Sequence, residues 1–319
     1  MEKVKKNFSL KRILSGGFGT VLMLIVLMLV FAVLSPTFFT SSNLTNVLIQ
    51  SGTNAVISVG MTYVIISGNT DLSVGAILAL SSCIGATTMV QTDNVILGVL
   101  CALGAGILLG AFNGFLIAYL KFQPFIVTLS TMWLFRGLAY LYTGGQAVTG
   151  LPEGITSMAL GSILFIPNIV WIIAIVYAIC YIVLNKTTMG RKVCAVGDNG
   201  ESARLSGIGV KRVILGTFIL SGFCSALSGV IYMGRLNSGQ PIAGQSYEMY
   251  AIAAAVIGGA SFTKGGIGSM GGTLVGAIFI AVLNNGLTIL NVNTYWQQVC
   301  MGIVVLLAVG LDRFRKSVK

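Results

Sequence analysis

Histidine is absent from these 319 residues, and only 8% of them are charged. Without histidine the chain lacks the commonest general base, metal ligand and proton relay. It carries only eight acidic residues, too few to suggest the convergent carboxylates or metal set of a membrane-embedded enzyme. The six cysteines form no C-x-x-C pair: Cys83, Cys101, Cys180, Cys224 and Cys300 lie in apolar segments and Cys194 in a polar one. Neither a zinc site nor a disulfide framework is supported. No G-x-x-x-x-G-K-[ST] occurs, so the chain is not expected to bind ATP itself. A literal G-x-G-x-x-G, "GIGSMG" at 266 to 271, opens an apolar helix instead of following a strand in a βαβ unit, and is set aside as a dinucleotide fingerprint.

What the chain has in quantity is hydrocarbon. Hydrophobic residues make up 55% of it and the mean hydropathy is +0.94, far above a soluble domain. Apolar runs of about twenty residues match the length a helix needs to cross roughly 30 Å of bilayer core. The reading is an all-α polytopic membrane protein in one domain. Its 41 glycines fit close backbone approach between helices in lipid, where small residues replace the missing hydrophobic drive.

Ten segments are expected to span, near 17–34, 46–66, 72–90, 95–119, 124–142, 163–184, 213–233, 248–260, 270–290 and 296–311. The basic start "MEKVKKNFSLKR" resembles a signal peptide, but the run after it is too long and lacks a cleavage pattern, so it reads as an uncleaved first span. With the N-terminus inside, 17 of the 19 basic residues fall on the cytoplasmic face, from Lys3, Lys5, Lys6, Lys11 and Arg12 to Arg313, Arg315, Lys316 and Lys319. Arg136 lies within a span and Arg235 outside. This asymmetry favours an even count with both termini cytoplasmic. Eight spans would also satisfy it; ten follow from the Gly-rich breaks at 67–75 and 258–272. The scattered lysines and arginines, without interleaved aromatics, do not suggest nucleic-acid binding despite a net charge of +11. "LLGAFNGFLIAYL" (108–120) echoes "LVGAIFIAVLNNGL" (274–287), five spans apart, as an inverted five-helix repeat would place them.

Five charges gather in "MGRKVCAVGDNGESARLSG" (189–207). Asp198 is expected to cap a two-turn helix with Glu201 as its capping-box partner and Gly207 as its stop. Such a helix needs something to pack against; the alternative is a solvated basic loop.

The connection at 185–212 also carries a resemblance. "GRKVCAVGDNGESARLSGIGV" (190–210) is similar to the coupling segment of ATP-binding-cassette importer permeases for simple sugars. "TDLSVGAILAL" (70–80), "PFIVTLSTMWLFRGLAYLYTGG" (124–145), "QPIAGQSYEMYAIAAAVIGGASFTKGGIGSMGGTLVGA" (240–277) and "LNNGLTILNVNTYWQ" (283–297) agree in order, and the chain most resembles ribose-type members. The resemblance implies a permease paired with itself or a sister permease. Cytoplasmic ATPase subunits would bind the ATP, and a periplasmic or lipid-anchored binding protein would deliver the sugar at a bacterial inner membrane. It places ATPase coupling on Gly190, Arg191, Asp198, Asn199, Glu201, Arg204, Leu205 and Gly207. The chain departs from the pattern at "GDNG", which puts the acid at Asp198, at Tyr250, where an acid is usual, and at Lys264.

A neutral polyol needs hydrogen-bonding side chains and apolar walls. Within the spans Asn54, Asn113, Thr128, Asn284 and Asn285 are the candidates, each also able to serve as helix-helix glue. Arg136 needs an acid, carbonyls or an aqueous cavity, with Asp71 a conceivable partner. Asp71 would otherwise cap the third span, and Arg136 would snorkel. The competing function is an ion-coupled secondary transporter of a small polar solute, which usually places an acid or histidine near the midplane.

Overall fold

The computed structural model describes residues 17–316, with side chains from 19 to 310. The charges at Lys3, Lys5, Lys6, Lys11, Arg12, Arg313, Arg315, Lys316 and Lys319, on which the orientation of the termini rests, lie outside the described side chains. Each of the ten apolar segments falls on a helix: α1 (Gly17–Leu34), α2 (Ser41–Ile66), α3 (Val74–Thr92), α4 (Val95–Ala118), α5 (Pro124–Thr143), α7 (Asn168–Lys186), α10 (Val210–Leu236), α11 (Tyr247–Ile257), α12 (Met270–Ile289) and α13 (Thr294–Lys316). Three short helices join them: α6 (Glu153–Leu160), α8 (Thr188–Asp198) and α9 (Gly200–Leu205). A two-residue hairpin, β1 (Ser162–Ile163) with β2 (Ile166–Pro167), precedes α7. Among the described residues, seven helices are long and apolar enough to cross a membrane; the described apolar stretches of α1, α11 and α13 are shorter.

Helix starts follow local chemistry. Thr40 Oγ1 accepts from Asn43 N at the head of α2, Asn94 Oδ1 accepts from Leu97 N at the head of α4, and Pro124 occupies the first turn of α5. The two caps satisfy first-turn backbone donors, and the proline removes one by having no N–H.

The middle of the bundle is α2, buried along nearly its whole apolar length. It packs on α10, α12, α11 and α7. Polar pins cross these contacts: Ser228 Oγ donates to Thr53 O (3.0 Å), Tyr177 OH to Ala55 O (3.0 Å) and Tyr63 OH to Cys180 O (2.7 Å), and the Thr62 and Thr273 hydroxyls meet at 2.8 Å. By contrast α4, α5 and α7 leave much of their surface open, with Leu108, Trp133, Leu141 and Ile175 facing outward as lipid-facing side chains do. Where α4 meets α10, Gly110 and Gly222 face one another so closely that a Cβ on either would overlap backbone of the other helix.

Two chain segments turn back into the bundle. Residues 67–73 carry Asp71, Leu72 and Ser73 to complete or near-complete burial before α3 begins. Residues 237–246, before the short α11, bring Gly244 into backbone contact with Gly75 at the head of α3. The packing repeats around this meeting point: α4 lies on α10 as α12 lies on α2, α3 on α4 as α11 on α12, α3 on α10 as α11 on α2, and α3 on α5 as α11 on α13. The first helix of each five breaks the pattern, α1 packing on α12 and α7 on α2.

One end of the bundle collects the basic loops. There Lys211 Nζ at the head of α10 lies 5.5 Å from the ring centroid of Tyr119, just past α4. The end of α2, the α8 helix and the Gly-rich 258–269 connection meet at the same end, where Gly266 N donates to Ile66 O (2.7 Å).

Candidate functional site

Toward the opposite end, α2, α10, α11 and α12 part around a cleft of about 210 Å³ lined by Gln50, Asn54, Arg235, Tyr247, Tyr250, Ile280, Ala281 and Asn284. Helical spacing assembles it: Gln50 and Asn54 are four apart on α2, Ile280 and Asn284 four apart on α12, and Tyr247 and Tyr250 three apart on α11, so each pair shares a face. Tyr232, Tyr247 and Tyr250 form a chain of rings, with centroids 6.4 and 5.7 Å apart.

Two features of the lining are electrostatic. Asn54 is only 6% exposed, yet neither its amide nitrogen nor its oxygen has a hydrogen-bond partner among the described residues. Arg235, in the last turn of α10, is half-buried and reaches Thr53 Oγ1 at 3.4 Å. Among the described residues no carboxylate comes within 4.0 Å of its guanidinium. The arrangement is a neutral-to-positive polar pocket with aromatic and aliphatic walls, suited to a ligand rich in hydroxyl groups.

Of the path residues expected from the sequence, the structure brings Asn54 and Asn284 together on this cleft. Asn285, next in sequence, turns away to Asn43. Asn113 is fully buried and donates to Ser73 Oγ (2.8 Å). Thr128 Oγ1 donates back to Pro124 O on its own helix (2.9 Å). Asp71 and Arg136 are not partners. The Asp71 carboxylate accepts from Ser73 N (3.0 Å), Ser73 Oγ (2.6 Å) and, across to α10, Ser221 Oγ (2.8 Å). The α3 N-cap is Ser73, and Asp71 sits two residues ahead of it. Arg136 donates to Pro241 O (2.7 Å) and Ala243 O, the carbonyls of the recessed segment before α11. Gln50, Arg235, Tyr247 and Tyr250 went unrecognised in the sequence. The signal was present in the four-residue spacing of Gln50 and Asn54 and in "YEMY", where Tyr250 replaces the acid of the resembling pattern.

The charged connection folds into two helices. Thr187 caps α8, its Oγ1 accepting from Gly190 N (3.4 Å), and Gly190 fits a turn so tight that a Cβ would overlap Leu184 backbone. The cap of α9 is Asn199, not Asp198: Asn199 is extended (φ −156°, ψ 100°) and accepts from Ser202 N (2.9 Å), whereas Asp198 is the last residue of α8. Because α8 carries Asp198 in helical geometry, it has no N-cap conformation to offer, and Glu201 does not close a capping box. Glu201 instead forms a two-pronged pair with Arg204, Oε2 to Nε at 3.0 Å and Oε1 to Nη2 at 2.6 Å. The pair holds the Glu201 carboxyl below, and the Arg204 guanidinium above, its ordinary pKa. Burial raises the half-buried Cys194 thiol. Gly207, at φ 82°, ends α9.

This element has an inward and an outward side. Val193, Val196 and Ala203 are buried, and Gly197 presses on Ile66 O and on the backbone of Gly265 and Gly266. Arg191, Asp198, Asn199, Glu201 and Arg204 are exposed, and Leu205 is 74% exposed. A leucine so open beside a salt-bridged pair at the tip of a short helix forms a protruding knob.

Residues 43–309 match the family model described as branched-chain amino acid transport system / permease component. The chain is 40% identical to a ribose import permease protein from Haemophilus influenzae, over 98% of both chains. It is 44% identical to the ribose import permease protein of Bacillus subtilis, over 94% of this chain and 93% of that one. It is 38% identical to a D-allose transport system permease protein of Escherichia coli, over 98% of this chain and 95% of the other. No solved structure matches the chain.

Proposed function

The chain belongs to the permease-component family of branched-chain amino acid transport systems, and from that premise we propose that it is the membrane-spanning permease subunit of an ATP-driven sugar importer, carrying ribose or a similar pentose. Sugar is favoured over an amino acid by the relatives' names and by the cleft. A zwitterion wants fixed charges of both signs, and the lining holds Arg235 with no acid. A hydroxylated neutral solute is matched by amides, phenols and one guanidinium between apolar walls.

On this reading the chain performs no chemistry and ATP is bound by cytoplasmic ATPase subunits. These dock on the knob of α8 and α9, where Glu201, Arg204 and Leu205 project and Asp198, Asn199 and Arg191 flank them. Gly190 and Gly207 shape the two turns that present it. Asn54 and Asn284 lie on the sugar path, while Asp71, Asn113, Thr128, Arg136 and Asn285 brace the helices around it. All ten helices span a bacterial inner membrane as two inverted sets of five, with both termini cytoplasmic. The repeated packing around Gly75 and Gly244 supports this, as do the basic loops gathered at one end. Two copies, or this chain with a sister permease, form the pathway within the lipid, and a periplasmic or lipid-anchored binding protein feeds it from the outer side.

The observation that carries the reading is that the exposed charged knob is seated, through Gly197, on the end of α2, the helix that also walls the cleft. The competing ion-coupled carrier is disfavoured by Asp71. Among the described residues Asp71 is the acid buried deepest, it lies off the cleft, and serine donors already occupy both of its oxygens. Proteoliposomes with the partner ATPase and binding protein provide the test. Sugar accumulation driven by enclosed ATP supports the proposal; accumulation driven by a proton or sodium gradient without ATP overturns it.

A further inference from the structure

Two half-buried arginines, Arg136 and Arg235, meet different surroundings. Arg136 is held by the Pro241 and Ala243 carbonyls. Arg235 has one long hydrogen bond to Thr53 and, among the described residues, no carboxylate within reach. A guanidinium is always charged and offers five donors in a planar fork with no acceptor. Its place in the last turn of α10 helps to hold it, since carbonyls at a helix C-terminus favour a cation. Glu248, the nearest acid in sequence on α11, turns its Oε2 toward Gly75 and does not line the cleft. Asn54, the residue after Arg235's long-range partner Thr53, leaves a donor and an acceptor unused although it is 94% buried, being 6% exposed. An unused buried amide is costly, and both groups border the same cleft. Sugar hydroxyls, which donate and accept at neighbouring carbons, answer both: the fork supplies donors only, Asn54 supplies either, and the Tyr247 and Tyr250 rings flank them.

We propose that Arg235 is the specificity-determining residue of the pathway. Its guanidinium hydrogen-bonds adjacent hydroxyls of the sugar together with Asn54, and its unneutralised charge excludes cations, protons included, from the same passage. A fixed positive charge in a narrow polar passage raises an electrostatic barrier to cations while leaving neutral solutes free to pass. The inference rests on the sugar-permease reading.

The test uses the permease reconstituted with its ATPase and binding protein, as wild type, Arg235→Lys, Arg235→Gln and Asn54→Ala. Uptake of labelled ribose and proton entry, followed by an enclosed pH-sensitive dye under an inside-negative potential, are measured on the same vesicles. All three variants are expected to lose about tenfold or more in uptake, because a buried polar site is left unpaired. Only Arg235→Gln is expected to admit protons, since Arg235→Lys keeps the charge and Asn54→Ala keeps the arginine. Normal uptake by Arg235→Gln, or proton entry no faster than wild type, overturns the proposal. Proton entry through Asn54→Ala equal to that of Arg235→Gln also overturns it, by showing that loosened packing and not lost charge opens the leak. A wild type that leaks as fast as Arg235→Gln contradicts the charge barrier. A wild type that takes up no sugar under ATP refutes the sugar contact and the parent reading together, while a leak confined to Arg235→Gln would still uphold the barrier.

Discussion

Asn43, near the start of α2, and Asn285, near the end of α12, exchange amide hydrogen bonds in both directions, 3.1 Å from Asn43 Nδ2 to Asn285 Oδ1 and 2.9 Å in return. Asn43 Nδ2 also reaches Phe38 O at 2.8 Å. Both side chains are buried. Within hydrocarbon such a reciprocal pair satisfies four polar groups that water cannot reach. The clasp fixes the spacing of α2 and α12, two walls of the cleft, from just beyond it.

Breaking one side of the clasp strands the other. Asn285→Ala is expected to destabilise the permease by about 1–3 kcal/mol, the cost of a buried amide left without its partner. Asn43→Leu with Asn285→Leu should cost less than the sum of the two single changes, because neither amide remains to be satisfied. Thermal unfolding of the detergent-solubilised variants measures both; additive losses would show that the amides act independently.

The knob permits a cleaner test of docking. Glu201→Lys with Arg204→Glu reverses the salt bridge yet leaves opposite charges three residues apart on α9, so the helix itself is expected to survive the exchange. Co-purification with the ATPase is nevertheless expected to fail, since the surface the partner meets is inverted. Retained capture would mean that these charges are not part of the joint.

The same pair sets a pH dependence. Arg204 lowers the Glu201 carboxyl in the folded chain, so the attraction is complete above the unfolded pKa of Glu201 and disappears as pH falls through the lowered folded value. Arg204, whose own pKa is raised, stays charged throughout. ATPase capture is therefore expected to hold steady across neutral pH and weaken only in acid, with Glu201→Gln abolishing that acid limb. Capture that changes between pH 6 and 8 would point to another group.

Composition and periodicity made the bundle legible, since lipid imposes on each helix a length and polarity that survive any packing detail. Each of the ten apolar segments carries a helix, although the sixth, expected from 163, opens in the β1–β2 hairpin and turns helical only at Asn168. The interior was less so. Which face of α2 or α12 a residue occupies separates Asn284 on the cleft from Asn285 in the clasp, one residue apart, and hydropathy within a span carries almost no such phase. Asp71 and Arg136 resembled a membrane ion pair because each is costly alone; serine hydroxyls and backbone carbonyls, invisible to a search for opposite charges, satisfy them instead. Asp198 lost the cap because helix α8 extends through it, a boundary set by burial of Val193 and Val196 against the bundle.

At Gly197 the tolerance for volume is nearly nil, as a Cβ there would overlap Ile66 O and approach Gly266 N. Gly197→Ala must push α8 off the end of α2, an overpacking cost of about 1–3 kcal/mol. If this contact passes motion from the knob to the cleft wall, ATPase binding should persist while ATP-driven uptake falls. Equal uptake by wild type and variant would remove Gly197 from the transmission path.

Ten spans make a prediction about sides that eight do not share at every loop. Lys264 lies in the connection whose Gly266 is bonded to Ile66 O, and Asn291 follows α12 at the end where Asn285 meets Asn43. Since α12 alone separates them, cysteines placed at 264 and 291 in a cysteine-free background should be labelled from opposite faces, 264 only after the inner face is opened and 291 directly from outside. The two Gly-rich breaks divide the alternatives further. Cysteines at 93 and 150 must label from outside and one at 121 from inside if α3, α4 and α5 each cross. Labelling of 121 and 150 from one face would merge α5 with its neighbours, reduce the count, and reverse the inference that the knob of α8 and α9 faces the ATPase.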